Sequence, residues 1–334
     1  MHPHPTIMGR DMTPPNALYG AIDLGGTKVR SLVADLDGRV CGYDLRPSET
    51  ARGLDPTLDR MVESLAAAAR EAGTGLNGLS GVGVASPGAI DAERGVVAGA
   101  PQLPGWRDVP LAALMSERLG VPVCLENDAT AAALGEHRYG AGRGARHMIY
   151  LTISTGVGGG IIIDGELYRG ASGAAGELGH VILDPDGPPC HWCGQGCLES
   201  FSSGTNVARR GEERLAAGGA PVLAQLRGPE GGVTAEMMAR AAEAGDDDCR
   251  AAFAEAGRYL GLALASFVNI FNPDVIVIGG GVTRAGDLFV PHARREMESR
   301  AIRESLKYAR LEVAALGERS GLLGMIARMR EEEG

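Results

Sequence analysis

The chain has 334 residues, 44% of them hydrophobic and 22% charged, a composition typical of a globular protein with room for two domains. A net charge of −10 and the lack of a basic stripe argue against nucleic acid as a partner. No apolar run approaches the roughly 20 residues that span a bilayer, and the first residues are polar and rich in proline. We therefore expect a cytoplasmic protein without a membrane partner, and a flexible extension at residues 1–16.

The first half of the chain reads as short strands separated by turns. Apolar strands are predicted at 18–23 and 29–36, and the Asp37-Gly38 turn lets 39–45 pair back as a hairpin. The elements predicted next are a helix from Asp55, a strand at 81–85, a helix at 111–119 and a strand at 121–125.

The second half repeats this order. Its predicted elements are strands at 148–154, 160–163 and 166–168, a long helix at 249–271, a strand at 274–278 and a helix after Ser320. A duplicated βββαβα unit explains the repetition. We expect a small α/β domain formed by 17–127 and 318–334, and a large α/β domain formed by 128–317.

Three Gly-rich turns follow apolar strands. In the first, Asp23 to Lys28, Gly25 and Gly26 let backbone N–H groups approach phosphate oxygens, Thr27 offers a hydroxyl, and Asp23 can hold Mg²⁺ through water. A tight β-turn with a capping Thr is the alternative. The second turn contains Thr155 and Gly156, and the third contains Gly280, where the backbone could lie against an adenosine. Together they indicate a nucleotide site.

A carboxylate suited to general-base chemistry follows the strand at 121–125. Asp128 could accept a proton from a hydroxyl that attacks a γ-phosphate, and Asn127 beside it could hold neighbouring hydroxyls. The alternative makes Asp128 a helix N-cap and Asn127 a turn residue. Glu177, His180 and Glu199 add groups suited to binding a polyol, although Glu177 could also be a solvated loop charge.

Cys190, Cys193 and Cys197 lie too close together for disulfides to be the natural interpretation. With His180 as fourth ligand they would form a closed tetrahedral Zn²⁺ site that orders the loop carrying Glu177 and Glu199. His191 is the competing fourth ligand, and three incidental buried thiols are the other alternative.

These motifs together resemble the ROK family of sugar kinases and repressors, most closely its bacterial ATP-dependent glucokinases. The residues that carry the resemblance are Asp23 to Lys28, Ser86-Pro87-Gly88, Leu103 to Trp106, Asn127-Asp128, Thr155-Gly156, Glu177 to His180, the cysteine loop with Glu199, and Gly279 to Gly281.

The resemblance implies an actin-like ATPase (ribonuclease H-like) fold, two domains with a cleft between them that closes on glucose. It implies Asp128 as the base, with Mg-ATP as donor. The sugar would be held by Gly88, Asn127, Glu177, His180 and Glu199, with His180 also binding zinc. Lys28 would join Thr27, Thr155 and Gly156 at the ATP phosphates. The family is commonly dimeric or tetrameric, so a homodimer or homotetramer is expected.

Two positions depart from the family pattern. The cysteines are spaced C-x-x-C-G-x-G-C, where the family usually has C-x-C-G-x-x-G-C, and Gln102 stands where the family tends to have Asn. The substrate could therefore be another hexose, namely N-acetylmannosamine, mannose or fructose. A sugar-sensing repressor is disfavoured, because only about twenty residues precede Asp23 and a DNA-binding helix-turn-helix needs about sixty.

Overall fold

The structure, a computed structural model, describes residues 17–228 and 231–333, and it divides into two compact units. Unit 1 contains the described residues up to Gly88, Ala92–Glu126 and those from Met325 onward; unit 2 contains Ala89–Asp91 and Asn127–Gly324. Apart from the short excursion at Ala89–Asp91, the chain passes from one unit to the other at 126/127, where 127/128 was predicted, and at 324/325, where 317/318 was predicted. The predicted extension at residues 1–16 lies outside the described residues.

Strands provide the frame of each unit. In chain order they are β1 (Leu18–Leu24), β2 (Lys28–Ala34), β3 (Val40–Pro47), β4 (Leu79–Ser86), β5 (Ala89–Asp91), β6 (Val96–Gly99), β7 (Arg107–Val109), β8 (Val123–Asn127), β9 (Met148–Ile153), β10 (Val157–Ile163), β11 (Glu166–Leu167), β12 (Pro189–Cys190), β13 (Gly194–Gln195), β14 (Val275–Gly279) and β15 (Arg310–Val313).

The helices alternate with these strands along the chain. They are α1 (Leu54–Glu71), α2 (Leu111–Leu119), α3 (Asp128–Tyr139), α4 (Leu198–Ser202), α5 (Gly204–Ala216), α6 (Pro221–Arg227), α7 (Ala235–Glu243), α8 (Asp247–Phe271), α9 (Val290–Arg300), α10 (Arg303–Leu306) and α11 (Ser320–Glu333). None of the helices in the described residues combines the length and apolar character that crossing a membrane requires.

The two main sheets have the same architecture. Their strand orders are β3-β2-β1-β4-β8 and β11-β10-β9-β14-β15. In both, the first strand pairs antiparallel with the second (β1 with β2, β9 with β10) and parallel with its neighbour on the other side (β4 and β14). The predicted duplication is thus confirmed by matching strand order and direction. All residues of β14 and most of those of β9 are buried. The sequences of both strands are correspondingly apolar, as is typical of strands in the core.

One boundary differs from the prediction in a way that matters for the site. The sequence predicted a strand at 160–163, but β10 already begins at Val157. A Cβ added at Gly158 would lie 2.7 Å from the Cβ of Ala129, and one at Gly160 would lie 2.4 Å from the Cβ of Ala133. These two glycines are therefore strand residues that let α3 pack closely on β10.

A buried carboxylate ties α3 to the segment that leads into α11. Glu136 is fully buried, and its Oε1 accepts hydrogen bonds from the Leu316 N–H (2.9 Å) and the Ser320 hydroxyl (2.7 Å). Its Oε2 accepts from the N–H groups of Ala315 and Ala141, both at 3.0 Å. Four donors on one carboxylate satisfy a charge that would otherwise be costly to bury.

Replacing Glu136 with Ala is expected to destabilise the protein by about 3 kcal/mol or more, because several buried donors lose their acceptor and each costs about 1–3 kcal/mol. Urea unfolding followed by circular dichroism measures this loss. Glu136→Gln keeps one carbonyl acceptor and should lose clearly less. Equal stability of Glu136→Ala and the wild type would contradict this account of the contact.

Candidate active site

The turn between β1 and β2 in unit 1 is tight and open to solvent. The Gly25 N–H donates to the Lys28 carbonyl at 2.8 Å, while Thr27 and Lys28 are exposed. The Thr50 hydroxyl stabilises the turn by donating a hydrogen bond to the Gly26 carbonyl at 2.7 Å. Such a turn presents side chains and backbone at its tip, as a phosphate site requires.

Gln102 lies beside this turn. A Cβ added at Gly26 would be 3.3 Å from the Gln102 carbonyl oxygen and 3.6 Å from its Cβ. The residue that departs from the family pattern is therefore packed against the predicted phosphate turn within unit 1, and the side chain itself is exposed.

Asp23 has a protein partner that the sequence did not reveal. Its Oδ2 lies 3.4 Å from Nη1 of Arg30, the residue directly opposite on β2. Both side chains are about one-fifth exposed, so the pair is largely shielded from solvent. A cation at Asp23 would compete with Arg30 for the same carboxylate.

Gly88 occupies a backbone position that favours glycine. Its φ is +100°, and a Cβ there would lie 2.3 Å from the Gly99 carbonyl oxygen and 2.7 Å from the Ala100 Cβ. Close backbone packing within unit 1 accounts for this residue, and its role in lining a sugar pocket stays a prediction.

In unit 2, Asn127 and Asp128 begin α3. Asn127 is the N-cap, and its Oδ1 accepts from the N–H groups of Ala129 (3.0 Å) and Thr130 (3.2 Å). Asp128 is the first helical residue, and its Oδ1 accepts from the Ala129 N–H at 2.8 Å. The capping role considered for Asp128 therefore belongs to Asn127. The carboxylate of Asp128 lies at the positive end of the helix dipole, which stabilises its anion.

The turn between β9 and β10 is held by the start of α5. The Gly204 N–H donates to the Ser154 carbonyl at 2.7 Å, and the Thr205 hydroxyl donates to the Thr155 carbonyl at 2.8 Å. Because its carbonyls are already bonded, the turn has a fixed shape. The side chains of Ser154 and Thr155 remain exposed at its tip.

The third Gly-rich turn approaches the second. Gly280 has φ +92°, and a Cβ there would lie 2.3 Å from the carbonyl oxygen of Ile153, the residue before Ser154. Only glycine permits this approach. The structure thus brings the predicted phosphate turn at Thr155–Gly156 and the predicted adenosine turn at Gly280 together in unit 2.

A cavity of about 930 Å³ opens beside these two turns. Its lining includes Thr155 and Gly281 from the turns and, from α5 and α7, charged residues that sequence reasoning missed: Arg209, Glu212, Glu236, Arg240 and Glu243. Glu212 also accepts a hydrogen bond from the Val233 N–H at 2.9 Å, which holds the segment before α7 at the cavity. In the sequence these charges cannot be told from the solvated face of an amphipathic helix.

Glu199, the second residue of α4, contacts the predicted phosphate turn. Its Oε2 accepts from the Val157 N–H at 2.8 Å, and a Cβ added at Gly156 would lie 2.5 Å from that same oxygen. The sequence predicted a sugar-binding role for Glu199 but had no signal for this contact, because 42 residues separate it from Val157.

The cysteine loop and His180 form a compact cluster. One ligand atom from each of His180, Cys190, Cys193 and Cys197 lies within 4.8 Å of all the others. His180 directs Nδ1 toward the Cys190 sulfur (3.7 Å) and Nε2 toward Oε2 of the exposed Glu177 (3.9 Å). The competing ligand, His191, is exposed and makes an edge contact with Trp192.

The donor set suits a structural zinc ion. Three sulfurs and one imidazole that all lie within 4.8 Å of one another match a closed tetrahedral site. Cys193 takes part in this cluster although it lies one position later than in the usual family spacing. Burial raises the pKa of Cys197 and, with hydrogen bonds to the neighbouring thiols, raises the pKa of Cys193 to about 12. At Cys190 burial also raises the pKa, but hydrogen bonds from the backbone N–H groups of Cys193 and Trp192 and from the other two thiols outweigh it, so the pKa is lowered. Cys190 is therefore the thiol of the three that gives up its proton most readily.

Comparisons with known proteins agree with this architecture. The ROK family model matches residues 19–332, so the chain belongs to the ROK family, and the predicted actin-like ATPase fold is confirmed. A glucokinase from Thermotoga maritima is 33% identical over 313 residues, covering 94% of this chain and 97% of that protein. The crystal structure of a ROK family glucokinase from Streptomyces griseus in complex with glucose and AMPPNP has a TM-score of 0.82 and 35% identity, covering 94% of this chain and 100% of that one. A xylose repressor from Caldicellulosiruptor bescii is 30% identical, covering 92% of this chain and 76% of that protein.

Proposed function

We propose that this chain is an ATP-dependent hexose kinase that phosphorylates glucose at its 6-hydroxyl, with Asp128 as general base. One observation carries the proposal. Helix α3, which Asp128 begins, packs against the strand that continues from the Thr155–Gly156 turn, with Ala129 in contact with the Gly158 position. The contact between α3 and β10 supports a role for the Asp128 carboxylate near the turn that we propose for the phosphates.

The reaction requires little covalent chemistry from the protein. The 6-hydroxyl oxygen attacks the γ-phosphorus of ATP, the bond from that phosphorus to the bridging oxygen breaks, and ADP leaves. The hydroxyl proton passes to the Asp128 carboxylate. Catalysis then rests on positioning and on stabilising charge at the transferring phosphoryl group.

The sugar would be held by Gly88, Asn127, Glu177, His180 and Glu199. Carboxylates accept hydrogen bonds from hydroxyls, and an imidazole nitrogen can donate a hydrogen bond to a hydroxyl or accept one from it. These groups could therefore bind several hydroxyls of one sugar ring. His180 can serve both sites, because Nδ1 lies on the cysteine side and Nε2 lies near Glu177. Its position supports sugar binding and zinc binding by the same ring.

The ATP would be held by the predicted phosphate and adenosine turns. Their residues are Asp23, Gly25, Gly26, Thr27, Lys28, Thr155, Gly156 and Gly280. The cavity beside Gly281 has the size of a nucleotide pocket. Mg²⁺, when bound, neutralises phosphate charge, and Asp23 is the residue we assign to it.

Zn²⁺ is the metal proposed for His180, Cys190, Cys193 and Cys197. Its role is positional, because a site with four protein ligands leaves no open position for substrate. It would fix the loop that connects Glu177 with Glu199. We further propose a cytoplasmic enzyme that forms a homodimer or homotetramer.

The hexose is tested by a coupled assay of ADP production with glucose, mannose, fructose and N-acetylmannosamine. We expect glucose to give the highest kcat/KM. A clear preference for another hexose would support the proposed kinase activity but contradict glucose as the substrate. No turnover with any hexose, together with sugar-dependent DNA binding at physiological salt, would favour a repressor function such as that of the Caldicellulosiruptor bescii xylose repressor.

A further inference from the structure

The sugar-binding group Glu199 is bonded to the phosphate turn. Its Oε2 accepts from the Val157 N–H at 2.8 Å, and among the described residues Oε1 receives no hydrogen bond. One oxygen of this carboxylate is therefore bonded to the turn, while the other is available to accept a hydrogen bond from a ligand hydroxyl.

The connection is broader than one bond. The residues just after Glu199 also hold the turn, through the Gly204 N–H on Ser154 and the Thr205 hydroxyl on Thr155. The Asn206 amide donates to the Glu199 carbonyl at 3.0 Å, which joins α4 to the first turn of α5. A displacement of Glu199 is therefore transmitted to the backbone that would receive the ATP phosphates.

We infer that Glu199 is a positioning residue that couples the two substrate sites, so that a sugar on Oε1 fixes the carboxylate and with it the Val157 N–H and the phosphate turn. The inference rests on the proposed function, since it takes Glu199 as a sugar ligand. Coupling between two ligands is reciprocal: the factor by which glucose tightens nucleotide binding equals the factor by which nucleotide tightens glucose binding.

Gly156 gives direct access to this connection. A methyl group at Gly156 would stand 2.5 Å from Oε2 of Glu199, closer than real contacts allow, so the carboxylate must move. Gly156 has no positive φ, and Ala can therefore adopt its backbone conformation. The change alters the phosphate turn, yet the inference predicts an effect on sugar binding when no nucleotide is present.

The experiment is calorimetric titration of glucose into the full chain without nucleotide, comparing the wild type, Gly156→Ala and Ser202→Ala. Gly156→Ala should bind glucose about tenfold more weakly, within the range of typical coupling between sites. Ser202→Ala is the control: it removes a buried hydrogen bond from α4 to the Ala256 carbonyl without touching the Glu199–Val157 contact, and its glucose affinity should equal that of the wild type.

A second titration uses AMPPNP with and without saturating glucose. In the wild type, glucose should tighten AMPPNP binding about tenfold, and in Gly156→Ala this factor should fall toward one. Wild-type glucose affinity in Gly156→Ala would overturn the inference, and so would a coupling factor of one in the wild type, even if the variant does not fold. A wild type that binds no hexose would instead overturn the proposed function.

Discussion

Replacing Asp128 with Asn is expected to lower the kcat of hexose phosphorylation by about 10²–10⁴-fold, the range that general-base catalysis contributes. The amide cannot accept the hydroxyl proton, but it keeps an oxygen where Oδ1 now accepts from the Ala129 N–H. The helix start is held separately by Asn127. The fold and the sugar affinity should therefore remain close to wild type, which the coupled assay and glucose titration together measure.

Asp247→Asn provides a matched control. Asp247 is also an acidic residue in the first turn of a helix after a capping side chain, but it is highly exposed and has no proposed role. Its kcat should be unchanged. Near-normal turnover in Asp128→Asn would remove Asp128 as the base and return it to a structural role at the helix start.

Replacing Cys197 with Ala is expected to abolish binding of the proposed zinc ion and to lower kcat/KM for the sugar by at least about tenfold, as loss of contacts that orient ligands commonly does. Structural zinc sites contribute about 10–16 kcal/mol of apparent binding energy in zinc-finger peptides, so loss of the ion would remove a strong constraint on the loop between His180 and α4. Cys197 is fully buried and precedes the helix that carries Glu199. Metal content by mass spectrometry and the KM for glucose are the two measurements.

His191→Ala serves as the control for the zinc site, because His191 lies in the same loop and was the competing ligand. It should keep one zinc per chain and wild-type kinetics, since the structure places His180 and not His191 with the three sulfurs. Loss of zinc in His191→Ala, with zinc retained in His180→Ala, would reverse the ligand assignment. Full zinc content in Cys197→Ala would argue against the site as a whole.

The order of elements could be predicted from the sequence because it depends on local patterns. Alternating and continuous apolar runs, the Asp37-Gly38 turn and the Gly-rich turns each act over a few residues, and the two halves showed the same order. The observed boundaries of helices and strands differ from the predicted ones where tertiary packing sets the end of an element. The early start of β10 depends on contacts of Gly158 and Gly160 with α3, which no local pattern reveals.

The sequence by itself determined the types of chemical group available: a carboxylate after a strand, three Gly-rich turns, and three closely spaced cysteines with two nearby histidines. Only the tertiary structure decided how those groups are used. It made Asn127 the helix cap, chose His180 over His191, paired Asp23 with Arg30, and set Glu199 on the Val157 N–H. The physical reason is range: hydrogen bonds and ligand sets act over about 3–5 Å in space, and folding brings together residues that lie far apart along the chain.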